Sequence, residues 1–292
     1  MSASTRDRLV IAPDERRRTI IALIRGARRR LMLSIFRCDD DAVLDALGAA
    51  VQRGVRVQVI VTGRAKDAAG ELNFVERFLT GHGVEVHRQI EAIKYHAKYI
   101  VADEETALVA SLNFTAKCFE RTCDFVLVTT DVAVVSGVTE LFAADWERRP
   151  VALTTAQAAR LIVGPEHRPR ERFVALARGA SRQIRVIDAR VTDRRVRSIL
   201  DARRAAGIAV DIKGHDDLGT LTSHGKLLIV DRTTAVIGSI GLRPAALDGR
   251  RELAVVTHDP AVIRQLEGFW RSLPEPRVRP QLTQRGFQEI RL

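Results

Sequence analysis

Aromatic side chains make up only 5% of this 292-residue chain, with 2 Trp and 2 Tyr. That leaves little material for the stacking platforms on which single-stranded nucleic acids lie. Cysteine is as sparse. Cys38, Cys118 and Cys123 are odd in number and form no C-x-x-C pair, which argues against a disulfide framework and against a zinc site. They read as reduced, structural thiols. No apolar run approaches 18 residues, so no membrane span is expected. The opening stretch MSASTRDRLVIAPDERRR lacks the apolar centre of a signal peptide, which points to a cytoplasmic protein, peripheral to a membrane at most. Lysine is the last scarcity: of 47 basic residues only 6 are Lys. What remains is ordinary globular material, 46% apolar and 28% charged, long enough for one large domain or two of about 150 residues. The net charge of +11 suits polyanionic partners, either nucleic acid or an anionic membrane surface.

Two of the six lysines sit in the same unusual setting. Tyr95–Asp103 reads YHAKYIVAD and Ser223–Asp231 reads SHGKLLIVD, so H-x-K-x-x-x-x-D occurs twice: His96, Lys98, Asp103 and His224, Lys226, Asp231. Chance would supply such a spacing roughly 0.01 times in a chain of this composition, so the second copy implies a duplication. An offset of 153 aligns Arg25-Gly26-Ala27 with Arg178-Gly179-Ala180 and Gly54-Val55 with Gly207-Ile208. An offset of 128 then aligns His96 with His224, Ser111 with Ser239, Asp124 with Glu252 and Asp131 with Asp259. The first half carries 25 extra residues around Gly63–Tyr95, which read as a helix and a strand and are expected to shape one wall of a cleft. Each half alternates strands and amphipathic helices, which argues for α/β layers. The boundary falls near Pro150, giving halves 1–150 and 151–292, with a Pro- and Arg-rich tail after Pro274.

Residues two apart on a strand share a side, so His96 faces with Lys98 and His224 with Lys226. If the halves pack about a pseudo-twofold, two His–Lys pairs converge. That set suits phosphodiester cleavage: one imidazole attacks phosphorus, the other protonates the leaving oxygen, and the ammonium groups neutralise the phosphoryl oxygens without a metal. Asp124 and Glu252, each 28 residues after a motif histidine, are assigned to fix the imidazole tautomers. Asp103 and Asp231, five residues beyond the lysines, suit a turn-holding role. His82, His87, His167, His215 and His258 have no duplicated partners and read as ordinary structural or surface histidines.

These motifs resemble those of the phospholipase D superfamily, whose H-x-K-x4-D is followed by G-S-x-N. The resemblance covers most of both halves. It implies an α/β fold of two duplicated α/β/α halves with mixed sheets, related by a pseudo-twofold, sharing one site at their interface. It also implies a two-step reaction through a phosphohistidine, with no metal or other cofactor. The follow-on motif reads Ala110-Ser111-Leu112-Asn113 in the first half and Gly238-Ser239-Ile240-Gly241 in the second, so one Gly and one Asn are replaced. The resemblance carries His96, Lys98, Asp103, Asn113, Asp124, His224, Lys226, Asp231, Ser239 and Glu252 as catalytic. Lys98, Lys226, Ser111, Asn113 and Ser239 are expected to bind phosphate, although Ser111 and Ser239 read equally well as turn residues. Because the first half keeps Asn113, His96 is assigned as nucleophile and His224 as general acid. The implied activity is a phosphodiesterase or phosphatidyltransferase acting on phospholipids. The alternatives are a nuclease and a non-catalytic scaffold that binds phosphate ligands.

Overall fold

The computed structural model describes residues 7–63, 69–89, 93–214 and 218–274. His215 and the tail beyond Pro274 lie outside them. The first half runs β1 (Asp7–Val10), α1 (Pro13–Gly26), β2 (Arg30–Ile35), α2 (Asp41–Gln52), β3 (Arg56–Thr62), α3 (Ala69–Gly81), β4 (Glu85–Gln89), β5 (Lys94–Tyr95), β6 (Tyr99–Ala102), β7 (Thr106–Ala110), α4 (Ala116–Glu120), β8 (Thr122–Cys123), β9 (Val126–Thr129) and α5 (Val132–Glu147). There follow α6 (Thr155–Arg160), β10 (Leu161–Gly164), α7 (Pro169–Arg178), β11 (Gln183–Ile187), α8 (Arg194–Ala205), β12 (Ala209–Lys213), β13 (Thr222–Ser223), β14 (Lys226–Val230), β15 (Thr234–Gly238), α9 (Pro244–Asp248), β16 (Arg250–Thr257) and α10 (Pro260–Ser272).

The first sheet has the order β1-β9-β7-β6-β2-β3-β4 and the second β10-β16-β15-β14-β11-β12. Strand for strand these orders are the same, with β4 as the first sheet's additional edge. Both are mixed: β2 and β3 pair in parallel, as do β11 and β12, while β6–β7 and β14–β15 are antiparallel hairpins. The 25 extra residues are therefore what the sequence indicated, a helix (α3) and an edge strand (β4).

Alternation along the strands separates the layers. Leu31, Leu33, Val57 and Val59 face α1, α2 and α3 through Ile20, Ile24, Leu47 and Leu79. Met32, Ile60 and Tyr99 face the other way, into a central core shared with Leu227, Ile229 and Ile237 of the second sheet and with Phe142 of α5 and Trp270 of α10. Ile184 and Val186 face Phe173, Val196 and Leu200 on the far side. Each sheet is thus covered on both faces, and the two halves meet through the central layer.

The duplicated punctuation has structural reasons. Asp131 and Asp259 are N-caps, accepting from Ala133 N and Val134 N and from Ala261 N and Val262 N. Gly54 and Gly207 follow α2 and α8 with φ of 85° and 84°, a conformation that costs other residues. One local reading needs correcting. His96 and Lys98 lie not inside a strand but in the link between β5 and β6.

Candidate active site

The links that carry the histidines cross between halves. β5 leaves its own sheet and pairs in parallel with β16 of the second half, and His96 N then donates to Arg251 O at 2.8 Å. Reciprocally, β13 pairs with β8 of the first half, and Gly225 N donates to Cys123 O at 2.6 Å. Each histidine is thereby set down beside the acidic residue of the opposite half. His96 Nδ1 lies 3.0 Å from Glu252 Oε2, and His224 Nδ1 lies 3.0 Å from both Asp124 oxygens. The orienting role given to Asp124 and Glu252 thus has its geometry, and the partners are exchanged across the interface. With Nδ1–H committed to a carboxylate, Nε2 of each ring is left for chemistry.

Both carboxylates are buried, and Asp124 is supported from behind. Ser111 Oγ donates to Asp124 Oδ1 at 2.6 Å and Thr122 Oγ1 to Oδ2 at 2.5 Å, while Phe125 N donates to Ser111 Oγ at 2.9 Å. In the second half Ser239 Oγ donates instead to Leu253 O at 3.3 Å and accepts from Leu253 N at 3.1 Å, and Glu252 Oε1 is buried without a hydrogen-bond partner. The expectation that these serines bind phosphate is corrected: both are 1% exposed, with Ser111 turned inward to Asp124 and Ser239 to the strand backbone. Burial alone would raise Asp124 and Glu252. The imidazoles, ammonium groups and serines instead hold both below the ordinary carboxylate range, so both remain acceptors.

The two His–Lys pairs differ. Phe36, at the end of β2, packs on His96 with ring centroids 4.5 Å apart and lies under Lys98 Nζ at 4.7 Å. Its counterpart in the second half is Ala189. The His96 side chain is 12% exposed and that of His224 26%. Burial, against the pull of Glu252, moves His96 down to about 3, which leaves a neutral ring at pH 7. Lys98 is 1% exposed, and burial brings it down to about 7. Its Nζ donates to His96 O at 2.6 Å, and Lys226 Nζ donates to His224 O. Two ammonium protons on each remain for an anion.

Beside His224 opens a cleft of about 350 Å³, lined among others by Arg37, Asp39, Asn113, Lys117 and Thr222. Asn113 Oδ1 is buried there without a hydrogen-bond partner. Arg37 is clamped by Glu71 of α3, with Nη2 to Oε2 at 2.6 Å, so the inserted segment reaches this wall through one ion pair. At the position of the second, missing Asn, a Cβ on Gly241 would stand 3.3 Å from Asp188 Oδ2 and 3.8 Å from Lys226 Cε.

Asp103 and Asp231 do not join the site, which corrects their catalytic assignment. Each lies five residues beyond its lysine, about 16 Å along the extended strand. They occupy hairpin turns with φ of 54° and 52°, which aspartate tolerates better than most residues. Asp103 accepts from Arg28 N, Arg29 N and Arg30 N at 2.7–2.9 Å, and Asp231 from Ser181 N, Arg182 N and Gln183 N at 2.7–2.9 Å. Asp103→Ala is therefore expected to lower unfolding free energy by about 2 kcal/mol. Chemical denaturation measures this, and kcat per folded molecule should stay within about twofold.

Sequence reasoning did not find Phe36 or Arg16. The Arg16 guanidinium, fully buried, donates to the carbonyls of Ile11, Cys118, Thr122 and Asp124 and so fixes the loop that delivers Asp124. Among so many arginines nothing marked it. The remaining histidines have local roles where described: His82 Nδ1 meets Phe78 O at 2.8 Å and His167 Nε2 meets Val151 O at 3.2 Å.

The family model described as cardiolipin synthase, phospholipase D-like domain matches residues 20–146 and again 154–273. The chain is 30% identical over 130 residues to the mitochondrial cardiolipin hydrolase of Xenopus laevis, covering 44% of this chain and 60% of that protein. It is 30% identical over 131 residues to cardiolipin synthase A of Pseudomonas aeruginosa, covering 43% of this chain and 26% of that protein. The matches span less than two thirds of these relatives. Among solved structures, phosphatidylserine synthase of Haemophilus influenzae superposes with TM-score 0.72 at 12% identity, over 92% of this chain and 86% of that one. Polyphosphate kinase of Porphyromonas gingivalis superposes with TM-score 0.73 at 19% identity, over 90% of this chain and 46% of that one. At these identities the structural likenesses establish the fold.

Proposed function

Since the chain belongs to the cardiolipin synthase-type phospholipase D-like family, we propose that it is a phosphodiesterase or phosphatidyltransferase working through a phosphohistidine, with phospholipids as substrates. The observation that carries this reading is the reciprocal pairing of His96 with Glu252 and of His224 with Asp124, two tautomer-fixed imidazoles supplied by two halves.

In the first step His96 Nε2 attacks phosphorus as His224 Nε2–H gives its proton to the departing oxygen, leaving a P–N bond on His96. In the second step His224 takes a proton from water or an alcohol. The resulting oxygen attacks phosphorus, the P–N bond breaks, and both rings return to their starting states. Lys98 and Lys226 face the charge that builds on the non-bridging oxygens, and the Asn113 amide is at hand in the first half. His96 is given the nucleophile's part because it is the more enclosed and is neutral at pH 7. The more exposed His224 exchanges protons. No divalent ion has a step, so EDTA is expected to leave turnover unchanged.

The lipid reading leans on the relatives, named as a cardiolipin hydrolase and a cardiolipin synthase. The net charge of +11 suits an anionic lipid surface, and among the described residues no helix is long and apolar enough to cross a membrane. Phosphorus NMR of cardiolipin- and phosphatidylglycerol-containing vesicles incubated with protein and EDTA tests it. Consumption of lipid phosphodiester is expected. Plasmid nicking without lipid turnover would replace this reading with a nuclease. Inertness toward lipid, DNA and bis(p-nitrophenyl) phosphate would leave the scaffold.

Lys98 gives a pH signature. Its pKa of about 7 must rise when an anion binds, so binding takes up a proton. Anion affinity is therefore full below about 7 and declines as pH rises through the free-enzyme value, by up to about tenfold per pH unit. Tungstate affinity, measured by calorimetry across this range, should follow that course. Lys98→Arg, whose guanidinium stays charged, should remove the decline.

A further inference from the structure

One dyad has a third potential ligand that the other lacks. Cys118 Sγ, an Asp124 oxygen and a His224 ring nitrogen all lie within 4.8 Å of one another. The 128-residue offset that pairs Asp124 with Glu252 pairs Cys118 with Ala246, so the His96–Glu252 dyad has a methyl group at the equivalent place. We propose that Cys118, Asp124 and His224 form an inhibitory site for a thiophilic divalent cation, zinc above all, which shuts the enzyme by taking His224 away from Asp124. The inhibitory part of this rests on the function proposed above.

The donor set is a zinc set: one sulfur, one nitrogen and one oxygen. In a tetrahedral zinc shell such ligand atoms stand about 3.2–3.7 Å apart. His224 Nδ1 and the Asp124 oxygens are already at 3.0 Å, so the thiol has only to close in. The thiolate and carboxylate together carry two negative charges, which match the ion and offset the nearby ammonium of Lys226. The fourth position has room. Cys118, Ser223 and His224 all border the 350 Å³ cleft, and Ser223 Oγ is buried without a hydrogen bond. The cleft also supplies the entry path.

The thiol proton goes to solvent. The Nδ1 proton moves to Nε2 if the ring is neutral and to solvent if it is an imidazolium. Nothing is oxidised. With metal on Nδ1, the ring loses its anionic hydrogen-bond acceptor and is pinned by a cation. It can no longer cycle between acid and base, and both proposed steps stop. Cys118 itself has no part in turnover, and alanine at its place has a precedent inside the chain.

The test uses the full chain washed with EDTA. Zinc chloride is titrated into bis(p-nitrophenyl) phosphate hydrolysis, and cobalt(II) is titrated separately while the near-ultraviolet thiolate-to-cobalt band is followed. Zinc in the micromolar range is expected to inhibit the parent protein. Cys118→Ala and Cys118→Ser should keep basal turnover and need about 10–100-fold more zinc, since loss of even an outer-shell partner costs that much affinity. The cobalt band should appear in the parent and in Cys38→Ala and vanish in both Cys118 variants. Equal zinc sensitivity of parent and Cys118→Ala, or no cobalt–thiolate band in the parent, overturns the site. If the parent hydrolyses nothing, the proposed function fails, and the cobalt band alone decides whether the site exists.

Discussion

His96→Ala is expected to remove turnover of every phosphodiester, by about four to six orders of magnitude, because it deletes the atom that would attack phosphorus. His224→Ala should behave differently. Its loss removes proton delivery, a contribution of about 10²–10⁴-fold that matters only when the departing oxygen is a poor leaving group. With p-nitrophenolate, which leaves without a proton, the first step should continue near its normal rate. The second step still needs a base for water, so the variant should give a burst of about one p-nitrophenol per active site and then stall. Stopped-flow absorbance distinguishes the two variants. A burst in His96→Ala and none in His224→Ala would reverse the two roles. Equal, leaving-group-independent losses in both would argue against a division of labour.

The second large effect concerns the exchanged carboxylates. Glu252→Gln and Asp124→Asn keep size and burial but can present an N–H to Nδ1, which selects the wrong tautomer. Comparable carboxylate-to-amide changes cost about 10⁴-fold in kcat. Which step suffers is the informative part. Glu252 belongs to the second half but holds His96, so Glu252→Gln should mimic the His96 lesion, losing activity on good and poor leaving groups alike. Asp124 holds His224, so Asp124→Asn should mimic the His224 lesion and retain the burst. If each carboxylate instead failed with the histidine of its own half, the cross-interface pairing would be wrong.

The sequence carried whatever occurs twice. The repeated His, Lys and acidic positions, the capping aspartates Asp131 and Asp259, and the glycines Gly54 and Gly207 stood out because an offset of 128 or 153 aligned each with a partner. The layer architecture followed from strand and helix periodicities that recur in both halves. Pairing across the interface was not legible, because spacing along one half says nothing about which half a side chain will meet. It took the crossing of β5 to β16 and of β13 to β8 to settle it. What occurs once was also hidden. Phe36 has an alanine as counterpart, Cys118 likewise, and the Glu71–Arg37 clamp depends on an inserted helix. For Asp103 and Asp231 the spacing pointed to the turn and the family resemblance to the chemistry, and their bonds to backbone amides follow the spacing. A repeated polar residue can be repeated because it holds a carboxylate or a turn that the chemistry needs.

The most direct test of a two-step reaction at a shared site is to quench the parent protein during turnover of a phosphodiester and map the phosphoryl group by mass spectrometry under alkaline conditions that preserve P–N bonds. The account predicts an adduct on the peptide bearing His96, present with EDTA and missing in His96→Ala. Turnover that proceeds while no histidine carries a phosphoryl group would contradict it.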